Sequence, residues 1–561
     1  MRGARLFALL ILPLAACGGS TSTTTTEAPA PRGPTGAEIS APDLRNRISI
    51  FADDSMQGRR TGTPGNVKGN AYIASELRRL GLRPAGDTGS YLQRVPLMSY
   101  AADSSRATLR TGSGVLVLWK DYHPYQAQFE VPARPIDGAE LVYIGAAGDS
   151  ASLPSRDALQ GKVVVYNSSG SGTTLDVPDI HPQGPLGLIA GIAVTGVDTL
   201  IATFEQVFRT PHIVVKQNLE IPPGITQPRL IILPTSSLPA LFGKPLDQLE
   251  PGDTGPAIQG DVTFEGNDLG ASNVVAVLEG SDPALRGQYV ALGAHNDAIG
   301  MVPPVDHDSL RAYNTVMRPR GANDPPGEPN AEQAARIQSM VDSMRKLRPT
   351  RLDSIVNGAD DDGSGSMALL EIAEAIVRSG TRPKRSILFV WHTGEESGLQ
   401  GSRWFSDNPT VPRDSIVAQI NSDMIGRGGP DNEARRDPGY LQVIGSRRLS
   451  TELGDLAEAV NKDGGFNLAF DYGYDADGHP DNFYCRSDHY MYARYGIPIA
   501  FFSTGGHRDY HQVTDEMEYL DFDKYARVTS FVRAVVERVA NLDHRLVVDK
   551  PKPDPNAPCV Q

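Results

Sequence analysis

From about residue 268 onward the chain alternates short apolar runs with polar loops and longer stretches of helical period. Tyr289 to Ala294, Ile387 to Trp391, Ile416 to Ile420 and Ile497 to Phe502 are too short for buried helices and apolar on both faces, which predicts central strands of a helix-covered sheet. After Ser364, residues Met367, Leu370, Ala373, Ile376 and Val377 share one side of a predicted helix that stops at Gly380. A second helix signal runs from Asn70 to Gly81. Between about 106 and 265 the texture changes to runs such as Val115 to Leu118, Lys162 to Tyr166 and Leu230 to Leu233, punctuated by Gly and Pro, as in a smaller β-rich unit. The predicted class is α/β: a mixed, mostly parallel central sheet flanked by helices, with an inserted smaller β-rich domain.

Length supports more than one unit, since 561 residues exceed the roughly 250–300 that one core organises. With 53 basic residues against 67 acidic ones, a net charge of −14 and no basic run, a dedicated nucleic-acid binder is excluded. The 57 Gly and 43 Pro indicate a folded, loop-rich chain rather than a low-complexity one.

At the start, Arg2 and Arg5 precede the apolar stretch Leu6 to Ala16, which is too short to cross about 30 Å of hydrocarbon and reads as a signal segment. Leu14-Ala15-Ala16-Cys17 resembles the lipobox of bacterial lipoproteins, which implies lipidation of Cys17 and an exported protein anchored to a bacterial membrane, facing periplasm or exterior. The Gly and Ser/Thr residues that follow suit a flexible tether. The acidic body has no electrostatic attraction for anionic lipid, so the lipid does the anchoring. The expected organisation is a lipoprotein signal peptide over 1–16, a tether over 17–37, the first part of the main domain over 38–105, the β-rich insert over 106–265, the rest of the main domain over 266–545 and a Pro-rich tail over 546–561. Cys485 and Cys559 are open to either reading, a bridge or two free thiols.

In open α/β sheets ligands collect at the carboxyl ends of strands. Five clusters fall at such ends or at a helix start: His295-Asn296-Asp297, Asp360-Asp361-Asp362, Glu395-Glu396, Asn421-Ser422-Asp423 and His507-Arg508-Asp509-Tyr510-His511. Each alone is unremarkable as a turn or a wet surface pair. Together, so many carboxylates at one edge would repel unless cations neutralised them, and imidazole with carboxylate oxygen suits zinc. Two metals bridged by a carboxylate and a water would satisfy all five.

With these motifs, and with Phe51-Ala52-Asp53-Asp54-Ser55-Met56-Gln57-Gly58-Arg59-Arg60-Thr61-Gly62-Thr63-Pro64-Gly65 upstream, the sequence resembles the co-catalytic dizinc aminopeptidases and carboxypeptidases, over residues 45 to 100 and 268 to 540. The resemblance implies a zinc-exopeptidase fold, a protease-associated domain in the β-rich insert, two zinc ions per chain and peptide substrates. By motif, the implied metal ligands are His295, Asp361, Glu396, Asp423 and His511, with Asp361 bridging, His295 and Asp423 on one zinc, and Glu396 and His511 on the other. Asp297 is the implied carboxylate that orients His295, Glu395 the general base, and Tyr510 a phenol for the developing oxyanion. The implied activity is that of a metallo-aminopeptidase releasing N-terminal residues through a hydroxide held between the zinc ions. A carboxypeptidase or dipeptidase on the same site is the alternative. A receptor-like binding protein is a further one, weighed down by the presence of every implied ligand and the base.

His392 is expected to be packed rather than ligating, His507 and Asp509 to line the pocket, and Asp515 to fix the loop after His511. Ser487-Asp488-His489 lacks the G-x-S-x-G elbow of a serine hydrolase. The stretch between Asp297 and Asp361, with a helix predicted over Asn330 to Lys346, is longer than this family usually carries, and is open to roles as a pocket cover or as a packing element.

Overall fold

The structure, a computed structural model, describes residues 35–561 apart from 113, 126–131, 147–152, 169–183, 199–200, 202–208, 210, 217–225, 325–326 and 429–438. The signal segment, Cys17 and the tether as far as residue 34 lie outside the described residues. Among the described residues, no helix is long and apolar enough to cross a membrane.

The main sheet has ten strands. At its centre Ser386–His392, Tyr289–His295, Ile416–Ser422 and Ile499–Ser503 lie side by side and parallel. Antiparallel pairing appears outside them, where Phe264–Leu278 joins Ser386–His392 and Leu92–Ala102 joins Phe264–Leu278, and on the other flank where Tyr440–Ile444 joins Ile499–Ser503. The apolar runs are explained by burial on both faces. Val290 and Leu292 enter one core cluster and Ala291 the other, as do Phe389 and Trp391 against Leu388 and Val390.

Helices Ala41–Phe51, Gly363–Ser379 and Phe522–Ala540 cover the first face. Helix Gly363–Ser379 ends at Gly380, whose φ of 71° is the left-handed cap that glycine adopts without a Cβ clash. The buried Arg47 guanidinium ties three elements together, bonding Glu371 at 2.7 Å, Glu76 at 2.9 Å and Glu374. The helix signalled from Asn70 begins earlier, at Pro64, because Thr63 caps it and proline fits the first turn.

Residues from His123 to Ala257 contribute a six-stranded sheet with its own apolar clusters. Val163–Asn167 and Gly191–Thr195 are parallel neighbours within it. The signalled strand Val115 to Leu118 shrinks to Gly114–Leu116 in a two-stranded hairpin, since Val115 is 58% and Val117 49% exposed. One strand of this stretch leaves it: His212–Val215 adds an edge to the main sheet beside Leu92–Ala102.

Candidate metal centre

The central strands place their carboxyl ends level because they run parallel and in register, with His295 opposite His392, and Ser422 opposite Phe502. His295 is the last residue of its strand, Asp423 follows Ser422 directly, Glu395 and Glu396 follow the turn after His392, and Tyr510 and His511 lie on the loop after Ser503. Asp361 arrives from the turn before helix Gly363–Ser379. That turn is held by Asp362, whose carboxylate accepts from Gly365 N at 2.8 Å, His295 N at 3.0 Å and Met424 N at 3.2 Å, pinning three segments with one side chain. From behind, the buried Arg59 donates to the carbonyls of Asn357 at 2.7 Å and Gly358 at 2.9 Å.

All five implied ligands meet. His295, Asp361 and Asp423 form one group of potential ligand atoms lying within 4.8 Å of one another, and Asp361, Glu396 and His511 form a second. Asp361 belongs to both. Its Oδ1 stands 3.1 Å from His295 Nε2 and its Oδ2 3.1 Å from His511 Nε2. Glu396 Oε2 lies 2.9 Å from the same His511 nitrogen. His295 Nε2 also faces Asp423 at 3.7 Å and Glu395 at 3.9 Å, so three carboxylates surround one imidazole nitrogen.

The electrostatics follow from that crowding. Burial disfavours charge on His295, yet Asp297, Asp361 and Asp423 hold its pKa well above the ordinary histidine range. Burial, reinforced by the Asp361 charge, pushes Glu396 up to about 7. Burial also drives Glu395 well above the usual carboxylate range, with His295 opposing and Glu396 and Asp423 adding to the shift. Glu396 Oε1 is buried without a hydrogen-bond partner. A buried orphan acceptor on Glu396 with the carboxylates of Asp361 and Asp423 and two imidazoles is a donor set that fits divalent zinc.

Asp297 takes two roles at once. Its carboxylate accepts from Thr61 Oγ1 at 2.7 Å and from Glu395 N at 3.2 Å, while its backbone carbonyl, 3.1 Å from His295 Nδ1, is nearer that ring than its carboxylate at 3.7 Å. Ser487 donates to Asp423 at 2.8 Å. The three residues of the Ser487-Asp488-His489 motif therefore diverge, since Asp488 pairs with His392 at 3.3 Å and His489 stacks on Phe501. His392 is fully buried and bonded to the Tyr492 hydroxyl at 2.9 Å, a packed residue.

His507 and Asp509 do not line the pocket. Burial, reinforced by Arg427, keeps His507 well below the ordinary histidine range, so the neutral ring accepts from Arg427 at 3.1 Å and from Asp509 N at 3.2 Å. Asp509 is buried against Arg311 and Arg427. Asp515 reaches further than its own loop and receives the backbone amides of Asp360 at 3.2 Å and Asp361 at 3.1 Å, which fixes the turn that presents Asp361. The sequence reading gives Arg59, Thr61 and Asp362 no role of their own, although Asp362 falls in one of the five clusters and the other two in the upstream stretch. For Asp362 a signal exists, an Asp immediately before a Gly-Ser-Gly helix start.

Beside the cluster opens a pocket that includes Asp361, Glu395, Asp423 and Tyr510 in its lining, with Met424, Phe483 and Phe501 as apolar wall. The Tyr510 ring stacks on His511, centroids 3.7 Å apart.

The chain is similar to known proteins in sequence and in fold. Residues 273–536 match the model of Peptidase family M28. The M28 match spans just under half of the chain and contains every implied metal ligand. Leupeptin-inactivating enzyme 1 of Streptomyces exfoliatus is 31% identical over 28% of this chain and 32% of its own length. Leucine aminopeptidase 1 of Penicillium rubens is 29% identical over 33% of this chain and 48% of its own length. The chain thus spans a third to a half of the curated relatives it matches. An aminopeptidase structure from Aneurinibacillus sp. strain AM-1 shares the fold, with a TM-score of 0.51 at 17% identity over 92% of this chain and 97% of that one.

One wall of this pocket is stapled from outside. Cys485 and Cys559, 74 residues apart, form a disulfide. Close by, Gln561 accepts from Tyr484 N at 2.8 Å and donates to the carbonyls of Tyr474 at 2.7 Å and Ala476 at 3.2 Å. Cys559→Ser is expected to lower stability by about 2–4 kcal/mol, read as a fall of several degrees in Tm that reductant reproduces in the wild type. An unchanged melting curve in both would show that the bridge contributes nothing.

Proposed function

We propose that the protein is an exported, lipid-anchored dizinc aminopeptidase that releases N-terminal residues from peptides. The observation that carries this reading is the pair of ligand groups sharing Asp361 beside a pocket that also presents Glu395 and Tyr510. His295 and Asp423 would hold one ion, Glu396 and His511 the other, and Asp361 both. When bound, zinc supplies Lewis acidity towards a carbonyl and makes water a stronger acid. Glu395 stays outside both ligand groups and faces the pocket, placed to take the proton of an attacking water and return it to the leaving amine. The Tyr510 phenol, on the same pocket wall, donates towards the carbonyl oxygen as it gains charge. Asp297 holds the Glu395 backbone and the His295 ring, so the base and one ligand keep a fixed relation.

Export through a lipobox at Cys17 is the reading of the first residues, and a disulfide between Cys485 and Cys559 suits the oxidising side of a membrane. The 106–265 stretch is read as the protease-associated-like insert. One observation favours the carboxypeptidase alternative: Arg486 is the cation among the residues that line the pocket, and it could pair with a substrate carboxylate.

The test is zinc quantification on the purified protein together with hydrolysis of free, N-blocked and C-blocked short peptides. Two zinc ions per chain and cleavage of free-amine substrates alone are expected. Cleavage of N-blocked peptides, abolished by blocking the C-terminus, would replace the aminopeptidase by the carboxypeptidase.

A further inference from the structure

The described residues of the long stretch between Asp297 and Asp361 form an arm. Strands Gly300–Asp306 and Leu352–Val356 pair antiparallel at its root, and helices His307–Met317 and Ala331–Arg345 follow one another above it. Arg345 and Arg348 clamp the second helix to the first through Asp306 and Asp308.

The arm then turns back onto the loop that carries Tyr510 and His511. Arg311 pairs with the buried Asp509, Asn314 donates to Gln512 at 2.6 Å, Arg318 donates to the Arg508 carbonyl at 2.9 Å, and Ala322 N donates to the Gly506 carbonyl at 3.3 Å. A Cβ placed on Gly506 would stand 2.9 Å from the Ala322 methyl, so arm and loop are pressed together at that point. Such a multiply bonded contact makes a fixed wall rather than a mobile flap. Ala322 itself lines the pocket together with Met424, Phe483 and Phe501.

We propose that this arm is the size-selecting wall of the substrate pocket and that Ala322 sets the depth open to the first side chain of a peptide. The proposal rests on the aminopeptidase reading and adds a residue of this chain's own arm that limits the size of the first side chain. The wall is apolar, so it gains from burying an apolar side chain, and the space is finite, so each carbon added at position 322 is taken from the substrate. An apolar pocket discriminates about tenfold or more per methylene once it is filled.

The experiment is a graded series, Ala322→Gly, Ala322→Val and Ala322→Leu, assayed for kcat/KM on alanyl, leucyl and phenylalanyl anilides with free amines. Binding of alanine and phenylalanine hydroxamates, which occupy the pocket without turnover, is measured by calorimetry in parallel. The phenylalanyl-to-alanyl ratio is expected to fall by about tenfold or more from wild type to the Leu variant, to rise in the Gly variant, and to move together in hydrolysis and binding. Zinc content and Tm confirm folding, and if the Leu variant does not fold, the Gly and Val variants must still move the ratio in opposite directions. A ratio constant across the folded variants, or a wild type that binds neither hydroxamate, overturns the proposal. A ratio that shifts in binding while no anilide is cleaved would instead remove the aminopeptidase reading and leave the wall in place.

Discussion

Glu395→Gln is expected to reduce kcat by about a hundredfold to ten-thousandfold while leaving the zinc content of the protein unchanged. The amide has the shape of the carboxylate but no basic oxygen with which to remove a proton, and proton transfer by a positioned side chain is typically worth 10²–10⁴-fold. The metal content should survive because neither ligand group includes Glu395. Its position should survive too, since Asp297 holds it through the backbone amide at 3.2 Å, a bond the substitution does not touch. Metal analysis and steady-state kinetics on the same preparation decide the matter. A variant that turns over normally would remove Glu395 from the chemistry, and one that loses zinc would make it a ligand.

The second large effect concerns Asp361. Each of its oxygens faces a different imidazole at 3.1 Å, so this single carboxylate joins the two ligand groups. Asp361→Ala should therefore empty both positions, and activity should drop below detection. Outer partners of metal ligands cost 10–100-fold when removed, and the loss of a shared direct ligand has to exceed that range. His511→Ala touches only the group with Glu396 and should leave about one zinc per chain. Equal zinc loss in the two variants would mean that the positions are not independent, and two zinc ions retained in Asp361→Ala would mean that Asp361 joins nothing.

The neighbours of these groups show where sequence reading succeeds and where it stops. The apolar runs that end in His295, in the turn before Glu395, and in Asp423 are visible because a strand buried on both faces must be apolar at successive positions. Since such strands run parallel, their polar ends share one edge, and the five clusters could be placed together from the pattern alone. The pattern misplaced His507 and Asp509. Both are expected in the pocket from the sequence, but they turn inward to the arginines of other segments, Arg427 and the arm's Arg311. It was also silent on Arg59, because nothing near that residue in the chain reveals that its guanidinium reaches the carbonyls of Asn357 and Gly358.

Local rules alone determined the helix that stops at Gly380, the central strands and the residue types offered at their ends, because period, caps and apolar runs act over a few neighbouring positions. Only the tertiary structure decided that Asp361 stands between His295 and His511, that Cys485 meets Cys559, that His212–Val215 joins the main sheet and that Ala322 lines the pocket. Each of those contacts joins segments far apart in the chain. They form only when the packing of the whole core has closed the intervening loops, and no local pattern of hydrophobic and polar residues encodes that closure.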